Sequence, residues 1–151
     1  MKLLRDVLET DLPVLFLHQQ APEACRMAAV PPRTHEAFLA HWHDRVLGDA
    51  STAKQCIVFE GVVAGWIGSW WGEGQRLVGY WLGPEFWGRG LATAALAEFL
   101  AEHEQRRPLC AWVAVENVAS LRVLEKCGFH RVGEPSRGAD GVSEWFTRLE
   151  G

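Results

Sequence analysis

The chain has 151 residues, 48% of them hydrophobic and 23% charged, which suits one folded domain with a substantial core and excludes a disordered polymer. A formal net charge of −4 argues against a general nucleic-acid surface. No run reaches the ~20 apolar residues that cross a bilayer, and Cys25, Cys56, Cys110 and Cys127 have neither C-x-x-C nor zinc spacing, so neither a membrane nor a metal partner is expected.

Lys2 to Val7 reads as a first strand. The charges at Lys2, Arg5, Asp6, Glu9 and Asp11 leave no uncharged signal-peptide core, and the expectation is a cytoplasmic protein with reduced thiols. Thr10 is positioned to cap a helix starting near Asp11, with Pro13 tolerated in its first turn. Residues 21 to 33 contain Pro22, Pro31 and Pro32 and read as a loop or a broken helical passage. Thr34 then caps a helix with Phe38, Leu39, Trp42, Val46 and Leu47 near one face, stopping at Gly48. Cys56 to Phe59 and Val62 to Trp71 read as strands joined at Glu60-Gly61. Gly72 to Gly74 turns the chain into another strand, Arg76 to Leu82. A long helix is expected from Gly88 to about Glu104, a strand over Leu109 to Val115, and a helix over Asn117 to Lys126 closed by Gly128. Phe129 to Gly133 and Val142 to Leu149 complete the set as two strands, with Asp140-Gly141 a favourable turn pair between them. Interleaved strands and helices without repeat or linker give a single α/β (α+β) domain over 1–151.

The most informative stretch is Tyr80 to Leu96, YWLGPEFWGRGLATAAL, where an apolar strand meets Gly88-Arg89-Gly90 and an alanine-rich helix. Glycines flanking one residue admit close approach of a ligand to the backbone. The helix start behind them offers unpaired N–H groups and a positive dipole end to a phosphate. No Gly-Lys-Ser/Thr follows, which disfavours a P-loop, and Thr93 stands where a dinucleotide fingerprint wants a third glycine. By itself Gly-x-Gly reads equally as an anion loop or as a loop-to-helix device.

A second segment, Asn117-Val-Ala-Ser120 through Lys126-Cys-Gly128-Phe129, begins 27 positions after Gly90. Together the two segments resemble the GNAT superfamily of acetyl-CoA-dependent N-acetyltransferases. The Gly-Tyr-Trp-Leu-x-Pro lead-in and the Asn-x-x-Ser form are most similar to the branch of ribosomal-protein alanine N-acetyltransferases. The resemblance implies a mixed, mostly antiparallel central sheet flanked by helices and splayed beside the cofactor, with residues 21 to 52 as the acceptor-side cover. It implies direct attack of a primary amine on acetyl-CoA in a ternary complex, the amine being a small molecule or a protein N-terminus. A non-catalytic acyl-CoA-binding sensor or scaffold of the same fold is the alternative, and monomer and homodimer both stay open.

Carried onto this chain, the resemblance implies that Leu82 and Gly83 lie nearest the reacting end of the cofactor. Gly88, Arg89, Gly90, Leu91, Ala92 and Thr93 surround the pyrophosphate, with Arg89 either contacting it or facing solvent. Glu85 departs from the usual Gln or Arg and has to face away or meet a cation. Asn117 and Ser120 touch the cofactor arm or simply cap their helix. Many relatives carry a tyrosine where Leu124 stands, so Ser120 becomes the candidate proton donor to the thiolate. The general base stays open among Glu73, Glu116, Glu144, His41 and His43. Trp66 and Trp70 share one strand face and Trp71 the other; core filling is the default for the eight tryptophans, with one or two free to wall an acceptor pocket.

Overall fold

Two left-handed turns organise the centre of the sheet. In the computed structural model, which describes residues 2–138 and 141–151, Glu60, Gly61, Glu73 and Gly74 all have φ between 52° and 78°. Two successive residues of that hand match the twist of a tight hairpin. They join β2 to β3 and β3 to β4, the last of which pairs Gly68 with Gly79 and Trp70 with Leu77. Here β1 is Leu4–Arg5, β2 Ala53–Phe59, β3 Val62–Gly72 and β4 Gln75–Leu82. Asp140 of the expected Asp140-Gly141 turn lies outside the described residues.

The start of the chain differs from its reading. β1 is shorter than Lys2 to Val7 because Asp11 pulls the backbone round: its carboxylate accepts the Leu8 N–H at 2.7 Å and both arms of Arg5 at 2.8 and 2.9 Å. That clamp, not a Thr10 cap, precedes the first helix; Glu9–Asp11 is a 3₁₀ turn and α1 runs Leu12–Gln20. The proline-rich passage does contain a helix, α2 (Pro22–Ala28), with Pro22 at a first-turn position that needs no N–H. Thr34 caps α3 (His35–His41), its Oγ1 accepting from Ala37 N at 3.1 Å, and a π-helical segment, Trp42–Leu47, carries the chain to Gly48.

Beyond Gly90 come α4 (Leu91–Glu102), β5 (Leu109–Ala114), α5 (Val118–Lys126), β6 (His130–Arg131), β7 (Ser136–Arg137) and β8 (Ser143–Leu149). α5 closes as expected at Gly128, φ 100°, with Gly128 N donating to Glu125 O and Phe129 N to Leu124 O. The sheet order is β1-β2-β3-β4-β5-β8-β6, with β7 also on β8. Its described pairs are antiparallel except β4 with β5, which are parallel and in register only at Leu77 and Cys110.

Alternation along β3 sorts the two faces. Ile67 joins Ile57, Val78, Leu96, Phe99 and Leu109 on the side of α4 and α5, while Trp66 meets Leu12, Leu15, Phe38, Trp42 and Val46 from the other helices. Each such fully buried side chain contributes about 1.5–3 kcal/mol. Polar clasps fix the helices in place. Glu98 accepts the N–H groups of Leu3 and Leu4 at 2.8 and 3.1 Å. Glu104, fully buried past the end of α4, accepts from Ser69 Oγ at 2.5 Å and from Arg76 Nε at 2.7 Å. Fastened at that end, α4 turns its other end toward the gap between β4 and β5.

Candidate active site

The helix expected from Gly88 starts at Leu91, because Gly88 and Gly90 both take positive φ, 75° and 74°. Gly90 has no side chain to cap α4, and no acidic residue occupies the first turn. The leading N–H groups and the dipole are therefore available to an anion. A Cβ built on Gly88 or Gly90 would meet no atom within 4 Å, so the loop surface there is open. A cleft of about 350 Å³ begins at this surface and is lined by Gly88, Gly90, Leu91, Ala92 and Thr93 on one side and by Asn117 and Ser120 on the other. Leu82 lines it as well, its carbonyl accepting Trp87 Nε1 at 3.1 Å.

Two expected residues sit elsewhere. Gly83 is packed against His18, so closely that a Cβ would come within 2.6 Å of its ring. Arg89 sets its guanidinium 6.0 Å from the Phe59 ring centre. The cations that do line the cleft are Arg122 and Lys126, four apart on one face of α5. Glu85 is exposed, 3.8 Å from His18 Nε2, and turned away from the loop surface.

At the cleft's inner end the sole tyrosine appears. Tyr80 OH donates to Ser120 Oγ at 3.1 Å, bringing a phenol from β4 to the serine of α5. Burial raises the Tyr80 pKa above its ordinary value, with the Ser120 bond pulling the other way, so the phenol keeps its proton at neutral pH. Asn117 acts as the helix cap, Oδ1 accepting from Ser120 N at 3.2 Å, while it also lines the cleft. Leu124, at the position where a tyrosine was sought, is a buried core residue.

A second cavity, about 840 Å³, adjoins the first at Tyr80 and Trp81, which line both. Its walls include Trp66, Trp70 and Trp81. Paired Gly68 and Gly79 leave room for two of these rings: a Cβ on Gly68 would fall 2.6 Å from the Trp66 ring, and one on Gly79 would fall 2.9 Å from the Trp70 ring. Val30, Pro31 and Arg33 from the loop after α2 line it as well.

Of the five base candidates, His41 lines this cavity. Burial, then the charges of Arg33 and Arg45, hold its pKa below the ordinary imidazole value, leaving it neutral near pH 7. His43 instead bonds Glu9, and Glu73 sits in a hairpin turn. Glu116 is exposed beyond β5, and Glu144 is in β8 opposite Ala114. Among the described residues no group of three or more His, Cys, Asp or Glu is placed to hold a metal ion, and no helix is long and apolar enough to cross a membrane.

A family model described as an acetyltransferase (GNAT) domain matches residues 3–130. No curated protein matches the sequence. Among solved structures, the spermidine N-acetyltransferase from Vibrio cholerae in complex with CoA and spermine is 15% identical, with TM-score 0.81 over 97% of this chain and 94% of its own. An aminoglycoside acetyltransferase in complex with coenzyme A is 22% identical, with TM-score 0.76 over 97% and 94%. A GNAT-family acetyltransferase from Bacillus anthracis is 17% identical, with TM-score 0.78 over 97% and 93%.

Proposed function

Since the chain belongs to the GNAT family of acetyltransferases, we propose that it moves the acetyl group of acetyl-CoA to a primary amine by direct attack in a ternary complex. One observation carries this reading: the cleft from the uncapped start of α4 to the Tyr80–Ser120 pair meets the tryptophan-walled cavity at Tyr80 and Trp81. Two substrates entering from the two sides would meet at that junction.

The lining fits the co-substrate. The proposed diphosphate is met by backbone N–H groups among Gly88, Gly90, Leu91, Ala92 and Thr93, which line the cleft, and Arg122 and Lys126 supply positive charge. Acetyl-CoA supplies a thioester whose C–S bond breaks as the amine nitrogen bonds the carbonyl carbon. His41, uncharged, takes the proton that the nitrogen releases. Ser120 gives a proton to the departing sulfur and regains one from Tyr80, which exchanges with solvent. None of the cysteines is needed as a nucleophile.

A small-molecule amine suits a cavity of about 840 Å³ lined in part by residues 30–33. A protein N-terminus, the acceptor of the ribosomal-protein alanine acetyltransferase branch, is the second option, and the lead-in at Gly79-Tyr80-Trp81-Leu82 favours it. Calorimetry with CoA followed by thiol release across an amine panel tests the proposal. Micromolar binding with turnover supports it. Tight binding without turnover on any amine returns the non-catalytic sensor, and no binding removes both.

A further inference from the structure

The charges around the tryptophan-walled cavity are uneven. Arg33 and Arg45 line it, and the acid opposing them is Asp49. Asp49 is already engaged within its own turn, its Oδ1 accepting from Ser51 N at 2.9 Å and Ser51 Oγ at 2.6 Å. Both guanidiniums are close enough to His41 to depress its basicity. They line the same cavity as His41, the residue proposed to receive the amine proton. A guanidinium presents a rigid fork of donors that matches a carboxylate. The rest of the lining is mainly aromatic, with Trp66, Trp70, Trp71 and Trp81 beside Gly79, and adds the neutral polar groups of Gln19 and Thr52.

This lining suits some amines and opposes others. A polyamine or an aminocyclitol carries several positive charges and meets two cations offset by one carboxylate, a net positive charge. An amine that also bears an acid satisfies the guanidiniums and still has aromatic walls for an apolar body. Resting on the reading that this cavity receives the acceptor, we propose that the acceptor is an apolar amino-acid-like molecule, its carboxylate held by Arg33 and Arg45 and its side chain seated among the tryptophans beside Gly79.

Matched pairs test this: L-phenylalanine against phenethylamine, and L-leucine against isoamylamine, with spermidine and kanamycin as polycations. Thiol release from acetyl-CoA gives kcat/KM, and quenching of the intrinsic tryptophan emission in the presence of CoA gives binding without chemistry. Each acid-bearing amine is expected to exceed its partner at least tenfold in both readouts, with the polycations weaker still. Arg33→Gln with Arg45→Gln collapses that ratio to near one while CoA affinity, measured in the same samples, stays unchanged. Equal or better use of the acid-free amines or of spermidine overturns the proposal, as does a ratio that survives in the arginine variant. Failure of the transferase reading looks different: no turnover with any amine. The quenching arm then still decides whether the cavity selects acids.

Discussion

Replacing Gly90 separates backbone strain from obstruction of a ligand. Gly90 lies at φ 74°, and a Cβ there meets nothing within 4 Å. The unliganded fold therefore resists a side chain only through the left-handed backbone, at about 1–2 kcal/mol, with the upper end for a β-branched residue. In a chain of this size that lowers Tm by roughly 2–8 °C. The open space belongs to the cleft, so a valine would project where the diphosphate is proposed to lie. Charge-assisted hydrogen bonds contribute about 1.5–3 kcal/mol each. Losing two of them weakens CoA by at least ~100-fold. Calorimetry of Gly90→Val against CoA, with melting curves on the same samples, is the assay. Gly90→Asn, which tolerates the left-handed backbone better, should recover most of the melting temperature without recovering all the affinity. A Gly90→Val protein that melts lower yet binds CoA within threefold of the parent would refute the placement of the diphosphate.

Ser120→Ala should lower kcat about 100-fold with little change in the KM for acetyl-CoA. Tyr80→Phe keeps the ring and loses the bond to Ser120, and about a tenfold fall in kcat is expected; full activity in both variants would remove the pair from the proton path. Glu104→Gln leaves the buried Arg76 charge without its carboxylate and should cost about 3–5 kcal/mol in urea unfolding, whereas a change under ~1 kcal/mol would contradict the buried network. The bond from Arg5 holds the Asp11 pKa below its ordinary 3.8. Its stabilising contribution is therefore complete above pH 3.8 and disappears as pH falls through the lowered folded value. Asp11→Asn should flatten the acid limb of a plot of Tm against pH, and an unaltered limb would show that Asp11 contributes nothing there.

What local sequence determines was legible. Glu60-Gly61, the Thr34 cap and the Gly128 stop each depend on a few adjacent residues, and each stands where expected. The loop glycines were read as permitting close approach, and both line the cleft. Starting the helix at Gly88 missed that positive φ at Gly88 and Gly90 delays it to Leu91. Pro22 was read as punctuation of a loop or broken passage, and at the start of a helix it is a favourable residue. The remaining features depend on register and distance in the fold. Tyr80 and Ser120 are 40 residues apart and meet because β4 and α5 flank the same gap. The room for the Trp66 and Trp70 rings requires Gly68 opposite Gly79, which no local pattern in either strand announces. Arg122 and Lys126 did carry a signal, their four-residue spacing on α5, since that helix had already been aligned with the cleft through Asn117 and Ser120.

The lone rung between Leu77 and Cys110 makes the protein two half-sheets hinged on one point of backbone pairing. A molecule lodged in the cleft meets β4 through Tyr80, Trp81 and Leu82, and the helices through Leu91 and Ser120, tying the strand to both. Occupancy then becomes a structural load: at a ligand concentration 100 times Kd, stability rises by about 2.7 kcal/mol. Amide exchange at the end of β4 and at the start of α5 should slow together as coenzyme is added.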